Sequence, residues 1–191
     1  ERTILVKHEH YDYQLHTEKL NEYDISWVYL TSIASGTEKY HDALINWLET
    51  RPEIKLAFQP GTFQMKGGIE AMKRVYARSD AFFCNLDEAR DILKLPGADY
   101  PELHAKFREL GPKIVCITDG PNGATISDAE HAWFVPMYPD PKPPVDRTGC
   151  GDACSSTTVA GIMLGKDLVT ALSYGVTNSM SVVQYVGAQA G

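Results

Sequence analysis

The chain has 191 residues, with 18 Lys and Arg against 25 Asp and Glu, so its formal net charge is −7. Hydrophobic residues make up 43% and charged residues 23%, an ordinary globular composition. The acidic excess argues against a nucleic-acid or anionic-membrane surface, which needs clustered cations. With no run near the ~18 apolar residues of a membrane span and no signal-type opening, a soluble protein is expected.

The apolar pattern alternates between strand-like and helix-like periods. Runs rich in β-branched and aromatic residues predict strands at 3–6, 27–32, 54–58, 81–84 and 113–118. Tyr40, Ala43, Leu44, Trp47 and Leu48 fall on one helical face, predicting an amphipathic helix over 37–50 with Ser35 and Glu38 as its capping pair. Gly67-Gly68 reads as a turn before a second stripe of Ile69, Met72 and Tyr76. Leu86, Ala89 and Leu93 form a third stripe, and Leu103, Phe107 and Leu110 a fourth. Asn122-Gly123 is a strong turn pair between 114–118 and 124–127; with 132–135 it predicts a small antiparallel segment. Residues 136–144 hold five of the eleven prolines and must form an extended loop. Helices over 152–164 and 168–186, parted by Gly165, close the chain. This order predicts one α/β domain over 1–191, a mostly parallel Rossmann-type sheet flanked by helices.

Cys84, Cys116, Cys150 and Cys154 include no C-x-x-C pair. Reduced thiols and a cytoplasmic setting are the expectation. Glu1 in place of Met, and an end directly after a helical pattern, read as a fragment of a longer chain.

Three stretches can carry chemistry. In Asp146-Arg147-Thr148-Gly149-Cys150-Gly151-Asp152 a Gly-rich turn runs straight into a helix. Such an N-terminus offers free N–H groups to an anion. Asp152 beside it suits a base that accepts a hydroxyl proton while a phosphoryl group docks on those N–H groups. The same spacing also fits an ordinary helix start. Asn85 and Glu88 follow a strand and make a plain capping pair, or orient water around Mg2+. Thr118-Asp119-Gly120 again ends a strand, where it starts the hairpin or meets a ligand. All three fall at carboxyl ends of strands, the edge where open α/β sheets bind ligands. The stretch from Phe58 to Gln64 also follows a strand and could line the same site. His8, Glu9 and His10 suggest a metal only weakly, because Glu9 points opposite to the two histidines on a strand. Walker A, dinucleotide-fingerprint, G-x-S-x-G and H-E-x-x-H patterns are absent.

The Asp146–Asp152 stretch resembles the D-[TPR]-T-G-A-G-D signature of the PfkB (ribokinase-like) carbohydrate kinases. Asn85-x-x-Glu88 is similar to their N-x-x-E motif, and Thr118-Asp119-Gly120-x-x-Gly123-Ala124 to their nucleotide-binding turn. The resemblance runs from Arg2 to Gln189 and covers the C-terminal two-thirds of the family's chain, without its N-terminal portion and lid. It implies a ribokinase-like fold and an ATP-dependent kinase acting on a sugar hydroxyl, with a nucleoside as the alternative acceptor. Asp152 would be the base, and N–H groups of Gly149, Cys150 and Gly151 the anion hole. Asn85 and Glu88 would organise Mg2+ through water; Thr118, Gly120, Gly123 and Asn178 would bind ATP. Asp146 and Thr148 would hold a monovalent cation such as K+. ATP and a small acceptor are the implied partners, with a homodimer compatible and neither nucleic acid nor membrane expected. Cys150 and Cys154 stand where the family carries Ala and Phe; the second exchange is expected to loosen local packing. A non-catalytic nucleotide-binding domain of this fold stays open as a reading from another class.

Overall fold

The computed structural model describes residues 12–188. The strand expected at 3–6, the His8–His10 cluster and Gln189 lie outside the described residues. A short helix α1 (Thr17–Leu20) precedes four strands linked by helices: β1 (Trp27–Leu30), α2 (Glu38–Glu49), β2 (Lys55–Phe58), α3 (Thr62–Arg78), β3 (Ala81–Asn85), α4 (Leu86–Leu93), α5 (Tyr100–Leu110) and β4 (Ile114–Thr118). A 3-10 turn (Gly120–Asn122) leads into β5 (Ala124–Ser127) and β6 (Ala132–Val135), and the chain closes with α6 (Cys150–Met163) and α7 (Leu168–Val182).

Among the described residues six strands form one sheet in the order β1-β2-β3-β4-β5-β6. β1 to β4 are parallel and β5 and β6 antiparallel, as the helical crossovers and the Asn-Gly turn require. Side chains on the central strands alternate between two cores. Leu56, Phe58, Phe82, Cys84, Val115 and Ile117 face the layer built by α2 to α5. Ala57, Ala81, Phe83 and Cys116 face the opposite layer, which holds Cys154, Val159, Leu172 and Val176 of α6 and α7. The result is the ribokinase-like α/β fold expected from the sequence, with four parallel strands ending along one edge.

Several local expectations differ from the structure. Thr37, not Ser35, is the N-cap of α2, and its hydroxyl donates to the Ala34 carbonyl instead of capping the helix. α3 begins at Thr62, and Gly67-Gly68 breaks it internally, with Gly68 at φ +76°. Cys154 does not leave loose packing: it is 3% exposed, because Gly175 brings α7 against its backbone. The four cysteines form no disulfide. Among the described residues no helix is long and apolar enough to cross a membrane.

Two buried polar networks pin the sheet. Asp80, 5% exposed, accepts from the Leu56 N–H and from Arg78 and Lys113. Burial pushes its carboxyl up, but Lys113, the Leu56 N–H and Lys55 together hold it below the usual range. His104, 2% exposed, lies 2.8 Å from both Thr125 Oγ1 and Ser127 Oγ. Thr125 donates to the Ile117 carbonyl and Arg108 donates to Ser127. Nε2–H therefore donates to Thr125 while Nδ1 accepts from Ser127, a neutral imidazole with both nitrogens used.

Burial, with Arg108 adding to it, pushes His104 down to about 4. An unfolded histidine titrates near 6.5, so the unfolded state binds more protons below that pH. Stability is complete above pH ~6.5 and is lost as pH falls toward ~4, by about 2 kcal/mol between pH 7 and 5. Asp80 acts lower, its contribution disappearing only below ~4. Unfolding free energies from urea titrations at the two pH values should differ by that amount, and His104→Gln should flatten the difference. An unchanged slope in the variant would show that His104 is not its source.

Candidate active site

The parallel strands end together, and so do the residues that follow them. Asn85 at the end of β3 is paired in register with Thr118 at the end of β4, and Gln59 directly follows β2. A cavity of about 510 Å³ opens there, lined by Gln59, Asn85, Glu88, Thr118 and the 119–124 turn, and closed by 149–152 at the start of α6. Its size falls within the range of small-molecule sites.

Each wall follows from local chemistry. Gly149 is the N-cap of α6 at φ +81°, where a Cβ would also come within 2.6 Å of Ala188; only glycine fits. Cys150, Gly151 and Asp152 make the first helical turn, whose N–H groups have no carbonyl four residues earlier in the helix. The Cys150 N–H makes one long 3.4 Å bond to the Arg147 carbonyl. The helix dipole adds positive potential at this point.

Across the cavity Asn85 and Glu88 form a reciprocal capping box. Asn85 Oδ1 accepts from the Glu88 N–H at 2.8 Å, and Glu88 Oε2 accepts from the Asn85 N–H at 2.9 Å. Capping consumes one atom of each side chain, and both residues still line the cavity. The capping and ligand readings are therefore compatible. Burial pushes the Glu88 carboxyl up; the Asn85 N–H opposes this and the Asp152 charge adds to it. The two carboxylates thus sense each other across the site.

The hairpin end is held by Asp119, which accepts from Tyr100 Oη at 2.9 Å and Asn122 Nδ2 at 3.1 Å. Gly120 and Gly123 line the cavity beside it. Other expected residues lie elsewhere. Asn178 donates to Thr157 Oγ1 of α6 at 2.8 Å and is not among the lining residues; Val176 and Ser179 of the same helix are. Asp146 Oδ1 accepts from the Thr148 N–H and hydroxyl, and Oδ2 from the Gly187 N–H. That pair anchors the turn from behind the cavity wall. From the 58–64 stretch only Gln59 reaches the cavity; Gln64 is buried against His41 and the Thr31 carbonyl.

Residues not singled out by the sequence also line the site. Among the described residues Arg147 is the single cationic side chain there, against the carboxylates of Asp87, Glu88, Asp119 and Asp152. Arg147 was legible, since it sits inside the Gly-rich motif. Ser155, Met137 and Ser179 carried no local signal.

This donor set constrains what can bind. A polyphosphate entering among four carboxylates and one arginine is repelled unless a cation accompanies it. Among the described residues no group of three or more His, Cys, Asp or Glu side chains is disposed to hold a metal by itself. The residues present therefore fit a hard divalent ion carried on phosphate oxygens and water, which is how Mg2+ binds.

Known proteins resemble this chain in sequence and in fold. An ATP-dependent 6-phosphofructokinase from Thermoanaerobacterium thermosaccharolyticum is 35% identical over 122 residues, 63% of this chain and 36% of that enzyme. A cytidine kinase from Thermococcus kodakarensis is 27% identical over 119 residues, 62% of this chain and 42% of that enzyme. Among solved structures, a candidate ribokinase II from E. coli in complex with ATP and Mg2+ superposes with a TM-score of 0.75 at 22% identity, covering 90% of this chain and 56% of that one. The matches span well under two thirds of these proteins' lengths. The family description "pfkB family carbohydrate kinase" matches residues 25–191. That span holds all six described strands, the capping box beyond β3 and the glycine turn before α6, and by it the chain belongs to the pfkB family of carbohydrate kinases.

Proposed function

We propose that this chain forms the phosphoryl-transfer core of an ATP-dependent kinase that moves the γ-phosphate of ATP to a hydroxyl of a sugar or related small molecule. One observation carries the proposal: Asp152 lies in the first turn of α6, at the same cavity as Asn85, Glu88 and Thr118. A carboxylate and a set of N–H donors then meet where a hydroxyl and a phosphoryl group would react.

In this reading Asp152 takes the proton of the acceptor hydroxyl as its oxygen attacks the γ-phosphorus. The bond from that phosphorus to the bridging oxygen breaks, and ADP leaves. N–H groups of Gly149, Cys150 and Gly151 hold the phosphoryl oxygens during transfer. The Cys150 side chain leaves its N–H in place. Thr118, Gly120 and Gly123 lie along the nucleotide. Asn85 and Glu88 would orient the water around Mg2+, which when bound would neutralise charge on the phosphates. Asp146 and Thr148 are the candidates for holding a monovalent cation such as K+ close behind the glycine turn. A loose phosphoryl transition state needs positioning and charge neutralisation more than a strong base, and a carboxylate suffices. The family membership and the two kinase relatives support the class of reaction.

Similarity to the cytidine kinase favours a nucleoside as the second acceptor class. The test is ADP formation from Mg-ATP by the complete gene product against separate pools of sugars, sugar phosphates and nucleosides. Acceptor-dependent release with one pool is expected. ATP binding without acceptor-dependent release from any pool would support a nucleotide-binding domain instead.

A further inference from the structure

Asp152 is an exposed side chain at a helix start, and an exposed carboxylate rotates freely unless something holds it. The structure supplies a holder. Gln59 Nε2 donates to Asp152 Oδ1 at 2.8 Å, and the Tyr29 hydroxyl donates to Gln59 Oε1. We infer that Gln59, fixed by Tyr29, is a positioning residue that occupies Oδ1 of Asp152 and turns Oδ2 toward the acceptor hydroxyl. This inference rests on the reading of Asp152 as base.

The sheet explains why the three residues meet. Tyr29 is paired in register with Ala57, and Gln59, two residues on, points to the same face by strand alternation. That is the face covered by α6 and α7, where Ala57 and Tyr29 pack with Cys154. The Gln59 backbone is itself fixed, its N–H donating to the Leu30 carbonyl at 2.9 Å. Tyr29 and Gln59 therefore stand on the rigid sheet, and they reach across to the helix that carries the base.

Hydrogen-bond chemistry allows the chain one direction only. An ionised carboxylate accepts and never donates, so the Gln59 amide nitrogen must face Asp152. Gln59 Oε1 then faces Tyr29, which must donate. Burial pushes the Tyr29 phenol well up, with the Asp152 charge adding to the effect, so the phenol keeps its proton at neutral pH. No member of the chain can reverse its role without losing a bond.

Misplacing a reacting group by about 1 Å can cost on the order of 100-fold in rate. Gln59→Met, close in volume but without polar atoms, is expected to lower kcat by about 10- to 100-fold, with the KM for ATP and for the acceptor each kept within about two-fold. Tyr29→Phe removes the bond to Gln59 together with the contact between the Tyr29 hydroxyl and Ser155; through the first it should lower kcat by about three- to ten-fold, a loss of the size of one neutral hydrogen bond. Because Tyr29 acts through Gln59, the two effects should not combine, and Tyr29→Phe should do nothing further in a Gln59→Met background. A loss confined to the acceptor KM would make Gln59 a substrate contact and overturn the inference. So would multiplicative losses in the double variant, or unchanged kcat in both single variants. Asp152→Asn is assayed alongside. If it retains turnover, the base assignment itself fails. If it abolishes turnover while Gln59→Met keeps it, only the positioning role fails.

Discussion

Asp152→Asn is expected to lower acceptor-dependent ADP formation by about 10²- to 10⁴-fold, the usual contribution of a positioned general base. The change keeps the shape of the side chain. The Asn carbonyl oxygen can still accept from Gln59 Nε2, so the Tyr29–Gln59 chain stays in place. What disappears is the lone-pair basicity that takes the hydroxyl proton. ATP affinity should not weaken, because the phosphate-facing groups of α6 are main-chain N–H groups and the mutation leaves them untouched. It should tighten slightly, since one of the four carboxylates around the cavity is removed. The checks are turnover at saturating ATP and acceptor, and ATP affinity by calorimetry. Full turnover in the variant would show that Asp152 is not the base. Loss of turnover with loss of ATP binding would instead assign it to nucleotide binding.

Much of the fold could be read from local pattern, because local pattern decides it. The runs at 54–58, 81–84 and 113–118 became β2, β3 and β4, and the Asn122-Gly123 turn delivered the hairpin of β4 and β5. The glycine turn before α6 was legible for the same reason: a positive φ at Gly149 needs glycine whatever packs around it. Asn85 and Glu88 were legible as a pair, and their capping bonds formed as the spacing required.

What escaped is non-local. Nothing around Tyr29 tells that its hydroxyl meets Gln59, since this depends on the register of β1 with β2. Asn178 lies one residue from the cavity-lining Ser179, yet its amide meets Thr157 on α6. A helix advances about 100° per residue, so the depth and rotation of α7 settle which of the two faces the site. The start of α2 failed differently. Ser35 had the right chemistry and spacing, but the chain turns through Gly36 at φ +77° and begins its helix after Thr37.

Gly175→Val is expected to destabilise the protein by about 3 kcal/mol, the upper end of the usual cost of overpacking. The reason is how closely α7 approaches α6. A Cβ at Gly175 would stand 2.5 Å from the Cys154 carbonyl oxygen and 2.2 Å from Thr158 Oγ1, and 3.2 Å from Cys154 Sγ. The first of these is backbone and cannot rotate away. The second is tied up, because Thr158 donates to that same Cys154 carbonyl at 2.8 Å. A Cβ added at Gly161 would likewise stand 2.9 Å from the Ala171 Cα, so the two helices touch along a line of small residues and neither can shift at one point alone. Relief requires moving α6 outward, and α6 carries Asp152 and the anion-binding turn. Turnover should therefore fall together with stability, and the midpoint of thermal unfolding should drop by roughly 6–12 °C for a domain of this size. Gly97→Ala is the control: its added Cβ meets nothing within 4 Å, and the expected change stays within about 0.5 kcal/mol. Equal melting temperatures for the two variants would mean that α7 has room to withdraw, and that the close packing of α6 is not what holds the base in place.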